Sequence, residues 1–240
     1  MRLRVVDIET SGGKPSEIIE IAAVDVFQEA GEWRASQPRS RLFRPHGPIT
    51  VHATAIHHLK SGDFPAFMPV CDTPELKAFL FEGHQPDVLV AHNATFESAH
   101  IKGDITGDLR WICTVKGAKS AWPEAPGYSN QVLRYWRDLD LDPALAMPPH
   151  RAGPDAWVTA HILLDLLETL SVEDLLEATH QPRKLDTIPF GRYRGKAWSD
   201  VPHDYLAWMA LQSQMDADVV ARARVEMLTR QSQSIENEQA

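Results

Sequence analysis

The sequence predicts an α/β protein: a mixed five-stranded sheet flanked by helices, followed by a small C-terminal module. Three observations carry that expectation: β-rich segments in succession over residues 3–43, strand–helix alternation over 72–170, and a composition change near Gln181. At 240 residues the chain is long enough for one filled core plus an appendage, and 43% apolar residues mark it as folded.

Each element has its own signal. Residues 3–8 are β-branched and end ahead of Gly12-Gly13, the pattern of a strand meeting a turn. Residues 17–27 (EIIEIAAVDVF) are β-rich, and 33–43 pair with them as a third strand, so the fold opens as a hairpin or meander. Residues 72–82 start at Thr73-Pro74 and set Leu76, Phe79 and Leu80 on one helical face. A short buried strand over 88–90 and a helix over 95–101 follow, then a strand over 109–114 and a helix over 115–121. After a Pro-Gly turn, 129–138 reads as helix. The clearest helix is 154–170, with Pro154 at its first position and Trp157, His161, Leu164 and Leu167 near one stripe.

The bulk properties exclude several classes. No apolar run approaches the roughly 18 residues of a membrane helix, and the start MRLRVVDIET lacks the apolar core of a signal peptide. Cys71 and Cys113 make neither a disulfide framework nor a zinc spacing, so the expectation is reduced thiols in a cytoplasmic protein. A formal charge of −9 argues against wholesale electrostatic binding of nucleic acid. It is compatible with a local basic surface, and with a carboxylate cluster balanced by metal ions.

Residues 181–240 read as the small module, after a first domain over 1–175. Its opening carries Arg183, Lys184, Arg192, Arg194 and Lys196 against one acid, Asp186, and the FGRYRGK turn mixes glycine, aromatic and basic residues. That makes it a candidate DNA-binding module through phosphate contacts, although such a turn is also often simply solvated. Two helical patterns, near 203–212 and 217–230, close the chain before a polar tail. Trp198, Tyr205 and Trp208 are expected in the module's core.

Three weak signals carry the chemistry. Asp7 and Glu9 are two apart near the end of the first strand, so both carboxylates share one face with Cα atoms about 7 Å apart. Alone, D-x-E is more often a solvated strand end. In "VLVAHNATFE" a strand ends, Asn93 turns the chain, and Glu97 projects from the first turn of a helix, where any acid favours the dipole. In "HRAGPDAWVTAH", His150 lies on a loop and Asp155 in the first turn of the long helix; this is equally the pattern of a dipole-complementing acid and an exposed loop histidine, but the spacing lets a mobile imidazole hang over a fixed carboxylate.

In this order and at these separations the motifs resemble those of the DEDDh 3'→5' exonuclease superfamily over residues 1–170. The stretches "WICTVKGAKSAWP", "YSNQVL" and "FGRYRGKAWSDVP" extend the likeness to one bacterial branch and nearly the whole chain. The resemblance implies an RNase H-like sheet and a hydrolase that removes nucleoside 5'-monophosphates from DNA 3' ends, in DNA repair. It implies that Asp7, Glu9, Glu97 and Asp155 hold two Mg²⁺ ions, for which Mn²⁺ can substitute, with His150 as general base. Thr10, Ile56 and His57 match positions that hold the terminal nucleotide, and Asn93, beside the second motif, is expected to support the same pocket. One departure stands out: the superfamily usually has aspartate in the second motif, and Glu97 carries its carboxylate on an extra methylene. Mg²⁺ tolerates little change in ligand reach, so the second ion is the part of the site this affects. The competing readings are an exoribonuclease acting on RNA ends or oligonucleotides, and a non-catalytic nucleic-acid-binding protein on the same fold.

Overall fold

The computed structural model describes residues 1–180, 185–212 and 215–238, in two compact units, Met1–Thr179 and His180–Ala240. The first unit opens with β1 (Arg2–Thr10), β2 (Ile18–Glu29), β3 (Glu32–Ala35) and β4 (Arg39–Leu42). Then come α1 (Val51–His57), α2 (Thr73–Leu80), β5 (Val88–Ala91), α3 (Ala94–His100), α4 (Gly103–Thr106) and β6 (Arg110–Cys113). Helices α5 (Thr114–Ala121), α6 (Asn130–Trp136), α7 (Pro143–Ala146), α8 (Ala152–Leu167) and α9 (Val172–His180) complete it.

The sheet is six-stranded and mixed, in the order β3-β2-β1-β5-β6, with β4 also pairing β2. β1 is antiparallel to β2 and parallel to β5, which is parallel to β6. The expected single strand over 33–43 is two strands. β3 lies against Val26, Phe27, Gln28 and Glu29, and β4 against Glu20, Ile21, Ala22 and Ala23. The break falls at Ser36-Gln37-Pro38, where Pro38 has no N–H to give a ladder. There Ser36 N–H donates to Asp25 O at 2.8 Å, and the Asp25 N–H donates to Ser36 Oγ at 3.0 Å.

The two faces of the sheet are buried differently. Leu3 and Val5 of β1, Ala22, Val24 and Val26 of β2, and Val88 and Val90 of β5 pack with Val158, Ile162 and Leu166 of α8. Val6, Ile8, Ile21, Ala23 and Leu89 face Leu76, Phe79 and Leu80 of α2 instead. On that second side Arg4 is buried with Asp25, Nε to Oδ1 at 2.6 Å and Nη2 to Oδ2 at 2.8 Å, with Nη1 donating to Leu80 O. A guanidinium is tolerated inside only with its donors satisfied in this way.

Helix α8 is buried around most of its circumference, because α5, α6 and α7 cover the side away from the sheet. Trp157 of the expected stripe is therefore buried, while His161, Leu164 and Leu167 are half-buried and Val158, Ile162 and Leu166 form the deep face. Because α8 begins at Ala152, Pro154 is its third residue and not its first, still within the turn whose N–H groups have no intrahelical acceptor.

The second unit has its own core of Ile188, Trp198, Val201, Leu206, Met209, Val219 and Ala223, from a turn over 188–197, α10 (His203–Ala210) and α11 (Ala217–Glu238). The polar tail continues α11 as helix to Glu238. Trp198 is buried as expected, but Tyr205 is half-buried and Trp208 exposed. Arg183 and Lys184 lie outside the described residues. Among the described residues no helix is long and apolar enough to cross a membrane.

Candidate active site

Along β1 the residues facing α8 are Leu3, Val5, Asp7 and Glu9, so the row turns from apolar to acidic toward the strand's C-terminal end. β1 and β5 are parallel, and open α/β sheets bind ligands beyond the carboxyl ends of parallel strands. The chain leaving β5 enters α3, whose first turn presents Glu97, and the first turn of α8 presents Asp155. Four carboxylates thus arrive from one strand end and two helix starts, and the two at helix N-termini sit where the dipole favours negative charge.

Oxygens of Asp7, Glu9 and Asp155 all lie within 4.8 Å of one another. Glu97 is outside that tight group but buried at 4% exposure, and of the surrounding acids its charge raises the Asp7 pKa most. Burial first, then Glu97, Asp155, Glu9 and Glu20, hold the Asp7 carboxyl well above the usual carboxylate range. Burial, with Asp155 and Glu20, pushes Glu9 up to about 8 against the pull of Arg151. Burial alone raises Glu97 to about 8, and Asp155 is raised by burial although the His150 N–H opposes it.

Two oxygens here, Glu97 Oε2 and Asp155 Oδ1, are buried without a hydrogen-bond partner among the described residues. Buried carboxylates whose oxygens lack donors are costly unless a cation completes them. A cation would complete them, and an all-oxygen donor set suits a hard divalent one. The residues therefore fit a metal centre by their own chemistry.

His150 stands at the rim, exposed, with its backbone in the left-handed region at φ 60°. Its N–H donates to Asp155 Oδ2 at 2.8 Å, and its ring has no partner among the described residues. The imidazole is open to solvent while its backbone is tied to one of the acids.

The expected nucleotide-binding positions divide. Thr10 is half-buried at the end of β1, and Ile56 (51% exposed) and Asn93 are open to solvent. Asn93 occupies the N-cap of α3 but makes no side-chain cap bond, so its amide is uncommitted. His57 is turned inward. It is 2% exposed, Nδ1 accepts from the Leu59 N–H at 3.0 Å, and Nε2 donates to Thr10 O at 3.2 Å. With both ring nitrogens spent on backbone, His57 is a strut that ties α1 to the end of β1. At the same join Gly12 has φ 68°, and a Cβ there would collide with Thr50 Oγ1.

Three residues escaped sequence reasoning. His92 is a half-buried link: Nε2 donates to Tyr128 O at 2.7 Å, Nδ1 accepts from Thr114 Oγ1 at 2.8 Å, and desolvation pushes its pKa down to about 4. Glu20 and Arg151 form an ion pair beside the acids, Nη2 to Oε1 at 2.8 Å. A lone glutamate inside a strand buried on both faces was the available signal, since it demands a cationic partner.

Comparison with known proteins agrees with this geometry. The chain is 35% identical over 212 residues to Exodeoxyribonuclease 10 of Escherichia coli (strain K12), covering 86% of this chain and 90% of that protein. Its fold matches the solved structure of Exonuclease X in complex with 5' overhanging duplex DNA at a TM-score of 0.62 and 32% identity, over 74% of this chain and 99% of that one. It also matches the nuclease domain of 3'hExo, a DEDDh family member bound to rAMP, at a TM-score of 0.53 and 14% identity, over 70% and 92% of the two chains. Residues 180–214 match a family model described as a putative quorum-sensing-regulated virulence factor. By its sequence and its fold together, the chain belongs to the DEDDh 3'→5' exonuclease superfamily.

Proposed function

We propose that the protein is a metal-dependent 3'→5' exodeoxyribonuclease, which releases nucleoside 5'-monophosphates from DNA 3' ends in cytoplasmic DNA repair. The observation that carries this reading is the convergence of ligand oxygens of Asp7, Glu9 and Asp155 within 4.8 Å, with the buried Glu97 close enough to raise the Asp7 pKa. Asp7, Glu9, Glu97 and Asp155 would hold two Mg²⁺ ions, for which Mn²⁺ would substitute. When bound, these ions neutralise the charge that builds on a phosphodiester during in-line displacement.

The chain's own groups supply the rest. A ring nitrogen of His150, poised above Asp155 on a fixed backbone, takes the proton of the attacking water. The water oxygen bonds to phosphorus as the bond to the 3' oxygen of the preceding nucleotide breaks; that oxygen takes a proton to become the new 3'-hydroxyl, and the phosphate stays on the 5' carbon of the released nucleotide. Thr10, Ile56 and Asn93, all at least partly open to solvent, hold the terminal nucleotide, while His57 bonds the Thr10 carbonyl. Glu97 is almost wholly buried, out of contact with bulk water.

Matched 5'-labelled DNA and RNA oligonucleotides, incubated with Mg²⁺, test the reading. DNA should shorten stepwise from its 3' end with mononucleotide products. Preferential digestion of RNA would make this an exoribonuclease, and inertness with both Mg²⁺ and Mn²⁺ would leave only a binding protein. Glu97→Gln should lower the rate about 10–100-fold at limiting metal, the usual cost of weakening a metal site's ligand shell. Calorimetric titration should show one of two binding events lost, and an unchanged metal isotherm would remove Glu97 from the ligand set.

The second unit contributes a basic turn. Arg192, Arg194 and Lys196 are exposed and make no ion pair among the described residues, whereas Arg222 and Arg230 of the same unit pair with Glu226. Backbone bonds from Ile188 N to Lys196 O at 2.9 Å and from Gly195 N to Ile188 O at 2.8 Å hold the turn in shape. We assign these cations to DNA phosphates. Replacing all three with glutamine should reduce the slope of log affinity against log salt by about 0.9 for each duplex phosphate no longer neutralised. An unchanged slope would assign the turn to solvent.

A further inference from the structure

Glu20 is 3% exposed, lies on the α8 face of β2, and sits directly opposite Glu9 in the β1–β2 register. Its position would allow it to join the acids around Asp7, yet its carboxylate is fully engaged elsewhere. Arg151 donates to it in a fork, Nε to Oε2 at 2.9 Å and Nη2 to Oε1 at 2.8 Å, and the Ala152 N–H donates to Oε2 at 3.2 Å.

These bonds act on three consecutive residues. The His150 N–H is held by Asp155, the Arg151 side chain by Glu20, and the Ala152 N–H by Glu20 again. Arg151 is itself the N-cap of α8 and gives the helix no side-chain cap. A serine or aspartate at that position would satisfy the first turn locally and at little cost. Here the first helical N–H is instead capped by a buried carboxylate from a distant strand. A buried ion pair is weak evidence for stability, and its best-attested use is to fix one arrangement among several. What this pair fixes is the stretch carrying His150, against the strand that lies beside Asp7 and Glu9.

We propose that Glu20 and Arg151 are positioning residues that fix the backbone of residues 150–152, so that the mobile His150 imidazole swings from a fixed point above the acids. The pair touches neither substrate nor the reacting atoms. Because its charges cancel, it adds no net charge to the cluster. Arg151 does this as arginine because only a planar fork satisfies both carboxylate oxygens at once. The inference rests on the reading of His150 as the base.

The test combines Arg151→Gln, Arg151→Lys, His150→Ala and the double variant Arg151→Gln/His150→Ala, with kcat and KM measured on a DNA 3' end. Arg151→Gln should lower kcat about 10–100-fold with KM within about threefold, the scale of losing a support for a catalytic group. Arg151→Lys, which keeps the charge but not the fork, should restore only a minor part of that loss. In the His150→Ala background the same Arg151→Gln change should cost less than about twofold, because the group it positions is gone. In metal-free protein, amide hydrogen exchange should accelerate at residues 150–152 and not along the interior of α8.

A kcat loss that persists undiminished in the double variant would overturn the proposal, since the pair would then act on the acids or the fold. A rise in KM with unchanged kcat would make Arg151 a substrate contact instead. Faster exchange throughout α8 would reduce the pair to general packing. If His150→Ala alone leaves kcat intact, the base itself is misassigned, a failure recognisably different from the others.

Discussion

Asp7→Asn should lower nucleotide release by about 10³–10⁴-fold and, in metal-free protein at pH 8, raise the melting temperature. The rate effect follows because charge stabilisation by bound metal contributes several kcal/mol, and each 1.36 kcal/mol is tenfold in rate. Asp7 is the acid on which burial and the charges of Glu97, Asp155, Glu9 and Glu20 all act. Without a cation those carboxylates repel one another, so removing one charge relieves the fold. The expected gain is about 1 kcal/mol, or ~2–4 °C for a unit of this size.

The pH dependence has a definite sign. Glu9 and Glu97 are pushed to about 8 in the folded protein, against about 4.3 in an unfolded chain. Between those values the folded state binds more protons than the unfolded one. The stability that this contributes is complete below the lower value and is lost as pH rises through the upper one. Metal-free protein should therefore melt at a lower temperature at pH 8 than at pH 5, and saturating Mg²⁺ should abolish most of the difference. Scanning calorimetry in chelator and in Mg²⁺ reads both effects, and a melting temperature that rises with pH in chelator would contradict the acid cluster.

His150→Ala should lower kcat by about 10²–10⁴-fold, the usual contribution of a general base, while DNA affinity stays within about twofold. The split is expected because the ring is exposed and unbonded, whereas the backbone N–H that holds Asp155 survives the substitution. Single-turnover rates together with fluorescence anisotropy on a DNA 3' end separate the two quantities. An affinity loss as large as the rate loss would mean that His150 binds the substrate.

The parts of this molecule that were legible in the sequence share a property: each is expressed over a short range. The D-x-E pair is on one face of a strand because the strand period is two, and Glu97 and Asp155 lie in first turns because of the loop signals before them. What was hidden depends on distant pairing. Glu20 looked like an ordinary polar residue in a β-rich run, and its partner is 131 positions away. His57 lies next to an exposed Ile56 and gives no local sign that its ring turns inward onto Thr10. The division of one expected strand into β3 and β4 comes from Pro38 and from the ladder with β2, and only the second is a matter of tertiary structure. The exposure of Trp208 likewise depends on how α10 packs, which its composition does not reveal.

The most direct measurement of the metal centre is anomalous scattering from crystals of the His150→Ala protein grown with Mn²⁺ and a short DNA 3' end. Two manganese peaks roughly 4 Å apart, both bonded to Asp7 and one of them reached by Glu97 or by a water that Glu97 holds, are the predicted result. A single peak, or ions bound away from Asp7, Glu9 and Asp155, would contradict it.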